Sequence, residues 1–286
     1  MVCPLKHESS LRVDSESGLE TGFACSLAGR AKPFVAPSPV TMAGAHLYGL
    51  AYSPWTERAR WALDHHRVAY RYHEHVPMLG EPLLRAKARP PSGQKASVPL
   101  FIDDAGERYM DSLAIIERSD RGSARPLIAN IASSRELAAT IEPALHATRA
   151  RVTSRILADP EALKESATAA VPAWMAGLAA PVSALGAKYL AKKHGASLGK
   201  ERDDIETLRK TLVTLRDEVD LQRPPTRETL TATDILVATV LQAVEPVDAP
   251  HIHLGPAVRR AWADASLARE FSDLVAWRDA AYRAAR

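Results

Sequence analysis

Cysteine is nearly absent. The 286-residue chain holds two, Cys3 and Cys25, both ahead of the first patterned segment. The body beyond them has no thiol for a disulfide scaffold, a C-x-x-C redox pair, a cysteine zinc site or a cysteine nucleophile. Aromatics are also sparse, at 6%, and alanine dominates many of the helical patterns instead. The formal net charge is only +3, and no basic block interleaves with aromatics, so no nucleic-acid partner is expected. The chain does not open with a basic region followed by an apolar run, and Glu8, Asp14, Glu16 and Glu20 argue against an organelle transit peptide. A cytoplasmic location is therefore expected. Residues 166–187 carry no charge, but they are alanine-rich and include Pro172 and Pro181. This composition suits a buried helix better than a membrane span, which would carry more Leu, Ile and Phe. No membrane partner is expected.

What is present has the balance of a globular chain, 46% hydrophobic and 25% charged, with length for one large domain or two ordinary ones. Residues 1–44 are rich in Ser, Gly and Pro and show no periodicity. They read as a flexible extension, with Met42 an alternative start. The pattern then changes. Residues 46–50 predict a strand, 54–66 a helix, 68–76 an alternating strand and 83–88 a short helix. Residues 97–103 and 107–110 predict two more strands joined by the turn "DDAG", and 111–120 a helix. This order, βαβαββα, suggests a small mixed sheet with helices packed on it. The rest is all-helical: 133–159, 161–193 and 202–220, then a helix opened by Thr231 and Asp234 in a capping-box spacing, and a last helix carrying Phe271, Leu274, Val275 and Trp277. The expected divisions are 1–44, 45–122 and 130–286.

The stretch "YSPWTERARWAL", 52–63, puts Ser53 where an N-cap belongs and Pro54 at the first helical position. A hydroxyl can accept from the helix and still donate outward. The positive end of the helix dipole would favour an anion beside it, a thiolate included. As a simple cap, Ser53 would need no further role. Two other features share its character. Ser97-Val98-Pro99 sets a proline at the start of a strand, and Met110-Asp111-Ser112 sets a carboxylate and a hydroxyl at the start of a helix.

Together these motifs resemble the thioredoxin-like N-terminal domain of cytosolic glutathione transferases of the serine type. They run in that family's order: Ser53-Pro54-Trp55-Thr56-Glu57-Arg58-Ala59-Arg60, then Val98-Pro99, then Asp111-Ser112-Leu113-Ala114-Ile115-Ile116. The helical remainder resembles the family's all-α C-terminal bundle, and "TATDI" its core capping box. The resemblance covers about 46–283. It implies that Ser53 donates a hydrogen bond to the glutathione sulfur, with Tyr52, and beyond it Tyr48, as rivals. It further implies a cis Pro99 and pairing of the Val98 backbone with the cysteinyl unit. Ser112 would hold the γ-glutamyl carboxylate, Asp111 the amino group and Lys95 the glycine carboxylate. Arg58 would have a structural or electrostatic role. Glutathione would be the co-substrate, an apolar electrophile the second substrate, and the assembly a homodimer. Asp111 stands where the family more often has Glu or Gln. A cysteine-type activity is excluded, since Ser53 occupies that position. A non-catalytic binding or scaffold protein on the same fold, or a peroxidase, isomerase or reductive cleavage activity, remain the alternatives.

Two histidine pairs, His73/His75 and His251/His253, have a ligand-like spacing, but without further ligands they read as exposed polar positions, and no metal is expected. Trp174, Met175 and Tyr189 are candidates for the core or for the electrophile pocket.

Overall fold

The structure is a computed structural model and describes residues 44–170, 200–248, 250 and 252–286. Of the extension expected over residues 1–44, residues 1–43 lie outside the described residues, as do most of the charge-free stretch, Trp174, Met175, Tyr189 and His251.

Four short strands form one sheet in the order β2-β1-β3-β4: β1 (His46–Gly49), β2 (Arg71–Glu74), β3 (Leu100–Ile102) and β4 (Arg108–Tyr109). β1 pairs in parallel with β2, Leu47 beside Tyr72, and antiparallel with β3, Leu47 beside Phe101. A parallel pair needs a crossover, and α1 (Pro54–His65) supplies it. Because successive side chains alternate, Leu47 and Tyr48 serve opposite faces. Leu47 and Phe101 pack with Ala59 and Leu63 of α1 and with Ile115 of α3 (Ser112–Ser119). Tyr48 and Leu100 pack with Leu84 and Ala88 of α2 (Glu81–Ala88). This is the thioredoxin-like sheet the resemblance implied.

The strands are shorter than expected. The ladder of β3 begins at Leu100 rather than at residue 97, since Pro99 has no N–H to give it. β2 forms only at Arg71–Glu74, although Val68, Tyr70 and Tyr72 still pack on the first cluster.

The helical region comprises α4 (Ile131–Ala158), α5 (Pro160–Ala170), α6 (Glu201–Leu215), α7 (Ala232–Val240), α8 (Pro256–Trp262), α9 (Ala265–Glu270) and α10 (Ser272–Ala285). The capping box is present: Thr231 Oγ1 accepts from the Asp234 N–H, and Asp234 accepts from the Thr231 N–H at 2.8 Å. Beyond its capped first turn α7 is apolar except for Thr239 and is enclosed, with Ile235, Leu236, Val237 and Ala238 at 0% exposure, as suits a central helix. It meets Trp61 and Ala62 of α1, Ile141 and Leu145 of α4, Leu208 and Leu212 of α6, and Trp277 of α10 in one core. α6 stops at Leu215, earlier than expected, with Val219 packing on the core from the turn beyond. The last predicted helix is two helices. Phe271, at φ −114° and ψ 34°, breaks the run, and burying its ring in the core compensates for the lost helical turn. Among the described residues no helix is long and apolar enough to cross a membrane.

α1 therefore has two apolar faces, one on the sheet through Ala59 and Leu63 and one on the helices through Trp61 and Ala62. That double packing fixes the N-terminus of α1, where Ser53 stands.

Candidate active site

β1 ends at Gly49, where any Cβ would run into the Thr56 side chain. The close approach lets Thr56 Oγ1 accept the Leu50 N–H at 3.1 Å. One residue on, the Ala51 N–H donates to Glu74 at 3.1 Å, and the Ser53 N–H donates to the Leu50 carbonyl at 2.9 Å. The loop between β1 and α1 is thus held by its own turn, by α1 and by the end of β2.

Ser53 is the N-cap of α1 by backbone geometry, with φ −77° and ψ 128°, and its carbonyl accepts the Glu57 N–H. The side chain does not cap. The expected bond from a helix N–H to the hydroxyl oxygen is not made, which leaves Oγ free of that duty in a residue only 7% exposed. Pro54, at the first helical position, removes one of the N–H groups that a helix start leaves unpaired.

At α3 the roles are reversed. Asp111, the N-cap, turns its Oδ1 onto its own helix and accepts the Ala114 N–H at 2.9 Å. Ser112, the first helical residue, is buried. Ser97 donates to the Met110 carbonyl at 3.4 Å, so the Val98-Pro99 segment lies beside the start of α3. The Val98–Pro99 bond is cis. Lys95 stands exposed in the loop between α2 and β3.

The two tyrosines separate from Ser53. Tyr52 turns toward the helices, edge-on to Trp262 with ring centres 6.2 Å apart, in a cluster with Val152 and Val258. Burial, with Glu74 adding to it, pushes its phenol up to about 12, so it stays protonated at neutral pH. Tyr48 lies flat on His73, centres 4.5 Å apart. His73 in turn meets His46, Nε2 to Nδ1 at 2.9 Å. His75 is buried near Glu81 instead. The two histidines that share a spacing in sequence thus sit in different surroundings, and among the described residues no cluster of three or more metal-ligating groups forms.

Arg58 is entirely enclosed. Its Nε donates to Thr239 Oγ1 at 3.0 Å and its Nη1 to Glu142 at 3.4 Å. Burial lowers its pKa to about 10, against the pull of Glu142 and Asp111, so it remains a cation at neutral pH beside the start of α3. Trp55 donates its indole N–H to both oxygens of Glu142, at 2.9 and 3.0 Å. Thr56, Glu74 and Glu142 did not stand out in the sequence. Glu142, His146 and Arg149 do recur at helical spacing along α4, but a solvated helix face has the same pattern.

Residues 47–124 match the family described as "Glutathione S-transferase, N-terminal domain". No curated protein matches the chain by sequence. Among solved structures, a glutathione S-transferase of Ceriporiopsis subvermispora in complex with glutathione superposes with a TM-score of 0.55 at 12% identity. The match covers 84% of this chain and 97% of that one. A glutathione S-transferase of Methylobacterium radiotolerans in complex with glutathione sulfonate gives a TM-score of 0.50 at 13% identity, covering 84% and 94%. At these identities the structural likeness speaks for the fold, and the sequence match speaks for the first domain. Residues 47–124 thus match a glutathione S-transferase N-terminal domain, and the chain has the glutathione S-transferase fold.

Proposed function

We propose that the protein is a serine-type glutathione transferase. The observation that carries this reading is the Ser53 hydroxyl. It stands at the N-terminus of α1, unused by the helix it begins. In this reading it donates to the glutathione sulfur and, with the helix terminus, favours the thiolate. A thiol titrates near ~8.5, and each unit of depression corresponds to ~1.4 kcal/mol. One or two units, supplied jointly, would leave roughly a quarter to three quarters of the bound thiol ionised at pH 7. The thiolate then attacks an apolar electrophile held against the helices, aided by proximity and orientation.

The Val98 backbone beside Pro99 pairs with the cysteinyl unit, Ser112 at the α3 N-terminus takes the γ-glutamyl carboxylate, and Lys95 meets the glycine end. Asp111 keeps one oxygen on its own helix and has the other for the γ-glutamyl amino group. Tyr52, packed on Trp262, lines the pocket rather than activating the thiol. No metal takes part. A cytoplasmic homodimer is the form the family resemblance implies.

One observation favours a second reading, a non-catalytic glutathione-binding or scaffold protein. Asp111 is shorter than the family's usual residue and is partly engaged as a cap. Calorimetric titration with glutathione separates the two readings. The transferase reading expects binding that Ser112→Ala weakens sharply, and turnover that Ser53→Ala lowers at least tenfold. Binding without turnover supports the scaffold, and no binding at millimolar glutathione rejects the transferase.

A further inference from the structure

Beside Ser53, α1 and α4 enclose a set of charges that do not balance. Trp55, two residues after Ser53, carries Arg149 over its indole face, with the guanidinium carbon 5.3 Å from the ring centre. His146 lies against the same ring, with centres 5.7 Å apart. Glu142 is the one carboxylate in the group, and it is already committed. It accepts the Trp55 N–H with both oxygens and pairs with Arg58.

Arg149 makes no ion pair among the described residues. Its Nη2 meets His146 Nδ1 at 2.6 Å. A guanidinium has no acceptor, so that nitrogen must accept and the imidazole is neutral. Burial, followed by Arg149, lowers the His146 pKa, in keeping with this. Two buried guanidinium N–H groups have no partner among the described residues, Nη2 of the fully enclosed Arg58 and Nε of Arg149. A half-buried cation over an indole face, with no ion pair of its own among the described residues and only the committed Glu142 near it, suits a further anion.

We propose that Arg149, lying on Trp55, binds a carboxylate carried by the second substrate, so that the electrophile is an aromatic or otherwise apolar acid. The naming of that ligand as the electrophile rests on the transferase reading, whereas the anion site itself does not. Arg58 serves it indirectly by neutralising Glu142. The indole offers a face for an apolar body, and the guanidinium fork matches a carboxylate.

The test uses the full chain and a matched pair of probes, 4-chloro-3,5-dinitrobenzoate and its methyl ester. Binding of each is measured by calorimetry without glutathione, and chloride release is then followed with glutathione. In the reaction the thiolate sulfur forms a C–S bond at the chlorine-bearing carbon. Chloride leaves with the C–Cl electron pair, and the thiol proton passes to solvent.

The acid should bind wild type about tenfold more tightly than the ester, the scale of one charged hydrogen bond. Arg149→Gln should bring that ratio to about 1 while glutathione affinity stays as in wild type. Glu142→Gln keeps an acceptor for Trp55 and removes the competing charge, so it should raise the ratio. That opposite movement guards against a folding defect in Arg149→Gln. A ratio near 1 in wild type, or one that survives Arg149→Gln, overturns the proposal. So does a loss of glutathione affinity in Arg149→Gln, which would assign Arg149 to glutathione's own carboxylates. Acid-selective binding without chloride release upholds the anion site and rejects the transferase reading. Chloride release without acid selectivity does the reverse.

Discussion

Replacing Thr239 by Val should loosen the joint between α1 and the helical region by an amount that can be worked from one hydrogen bond. Thr239 and Arg58 are both fully buried. The threonine oxygen accepts Arg58 Nε at 3.0 Å while its own proton goes to the Ile235 or Leu236 carbonyl, at 2.8 or 3.0 Å. Valine nearly preserves the shape and deletes the acceptor. Nε then joins Nη2, which already lacks a partner, as a second buried donor with none. Losing a charged hydrogen bond under burial costs about 3 kcal/mol at the upper end of the usual range. The added methyl burial returns about 1 kcal/mol, leaving a net loss of about 2 kcal/mol. For a chain of this size that lowers Tm by roughly 4–8 °C. The assay is urea unfolding followed by tryptophan fluorescence and far-UV circular dichroism, with coincident transitions required. In an Arg58→Met background the donor is gone, and Thr239→Val should then change stability by less than about 0.5 kcal/mol, the limit of additivity for uncoupled changes. A loss of the same size in both backgrounds would refute the assignment, because the cost would then come from the threonine's own helix rather than from Arg58.

Three further outcomes follow from the same geometry. Gly49→Ala should destabilise by about 1–3 kcal/mol through overpacking against Thr56, and Thr56→Ser in the same chain should recover part of the loss in urea unfolding. Asp103 is held below the usual carboxylate range. Burial works against this, but Arg118 and the N–H groups of Glu107 and Ala105 outweigh it. A depressed folded pKa adds stability above the unfolded value of about 3.9 and loses it as pH falls through the folded value. Asp103→Asn should therefore be less stable than wild type at pH 7, and the gap should close below about pH 4; a gap independent of pH would contradict the pairing. Tyr52, with its phenol pushed up to about 12, carries no titration between neutral pH and pH 10. Tyr52→Phe should leave the shape of the pH–rate profile unchanged, and a lost limb would return Tyr52 to the role of thiol activator.

The elements were legible wherever a signal acts within a few residues. Ser53-Pro54 opens a helix, Thr231 and Asp234 close a capping box, and the turn before Glu107 is made by Asp103 and Gly106, the latter at φ 82°. Boundaries slipped where a neighbour in space decided them. β3 waits for a residue that can donate to the ladder, and the last helix breaks where the core takes Phe271. The candidate site divides in the same way. Ser53 and Ser112 stand at helix starts as their positions demand. Which one-residue step faces the helices, Tyr52 or Ser53, could not be read from their spacing, because both belong to one loop.

By itself the sequence determined the βαβαββα order, the all-helical remainder and the helix starts that carry the hydroxyls. Each of these rests on periodicity, on capping chemistry or on proline's missing donor, and all act over at most one or two turns. Only the tertiary structure decided that Ser53 leaves its helix uncapped while Asp111 caps its own. The same holds for Arg58 finding Thr239 and for Arg149 lying over Trp55 with no ion pair among the described residues. The partners Arg58 and Thr239 are 181 residues apart, and Trp55 and Glu142 are 87. At such separations no local rule relates two side chains, and packing of α1 against both the sheet and the helices determines which charges meet and which remain without a counter-ion.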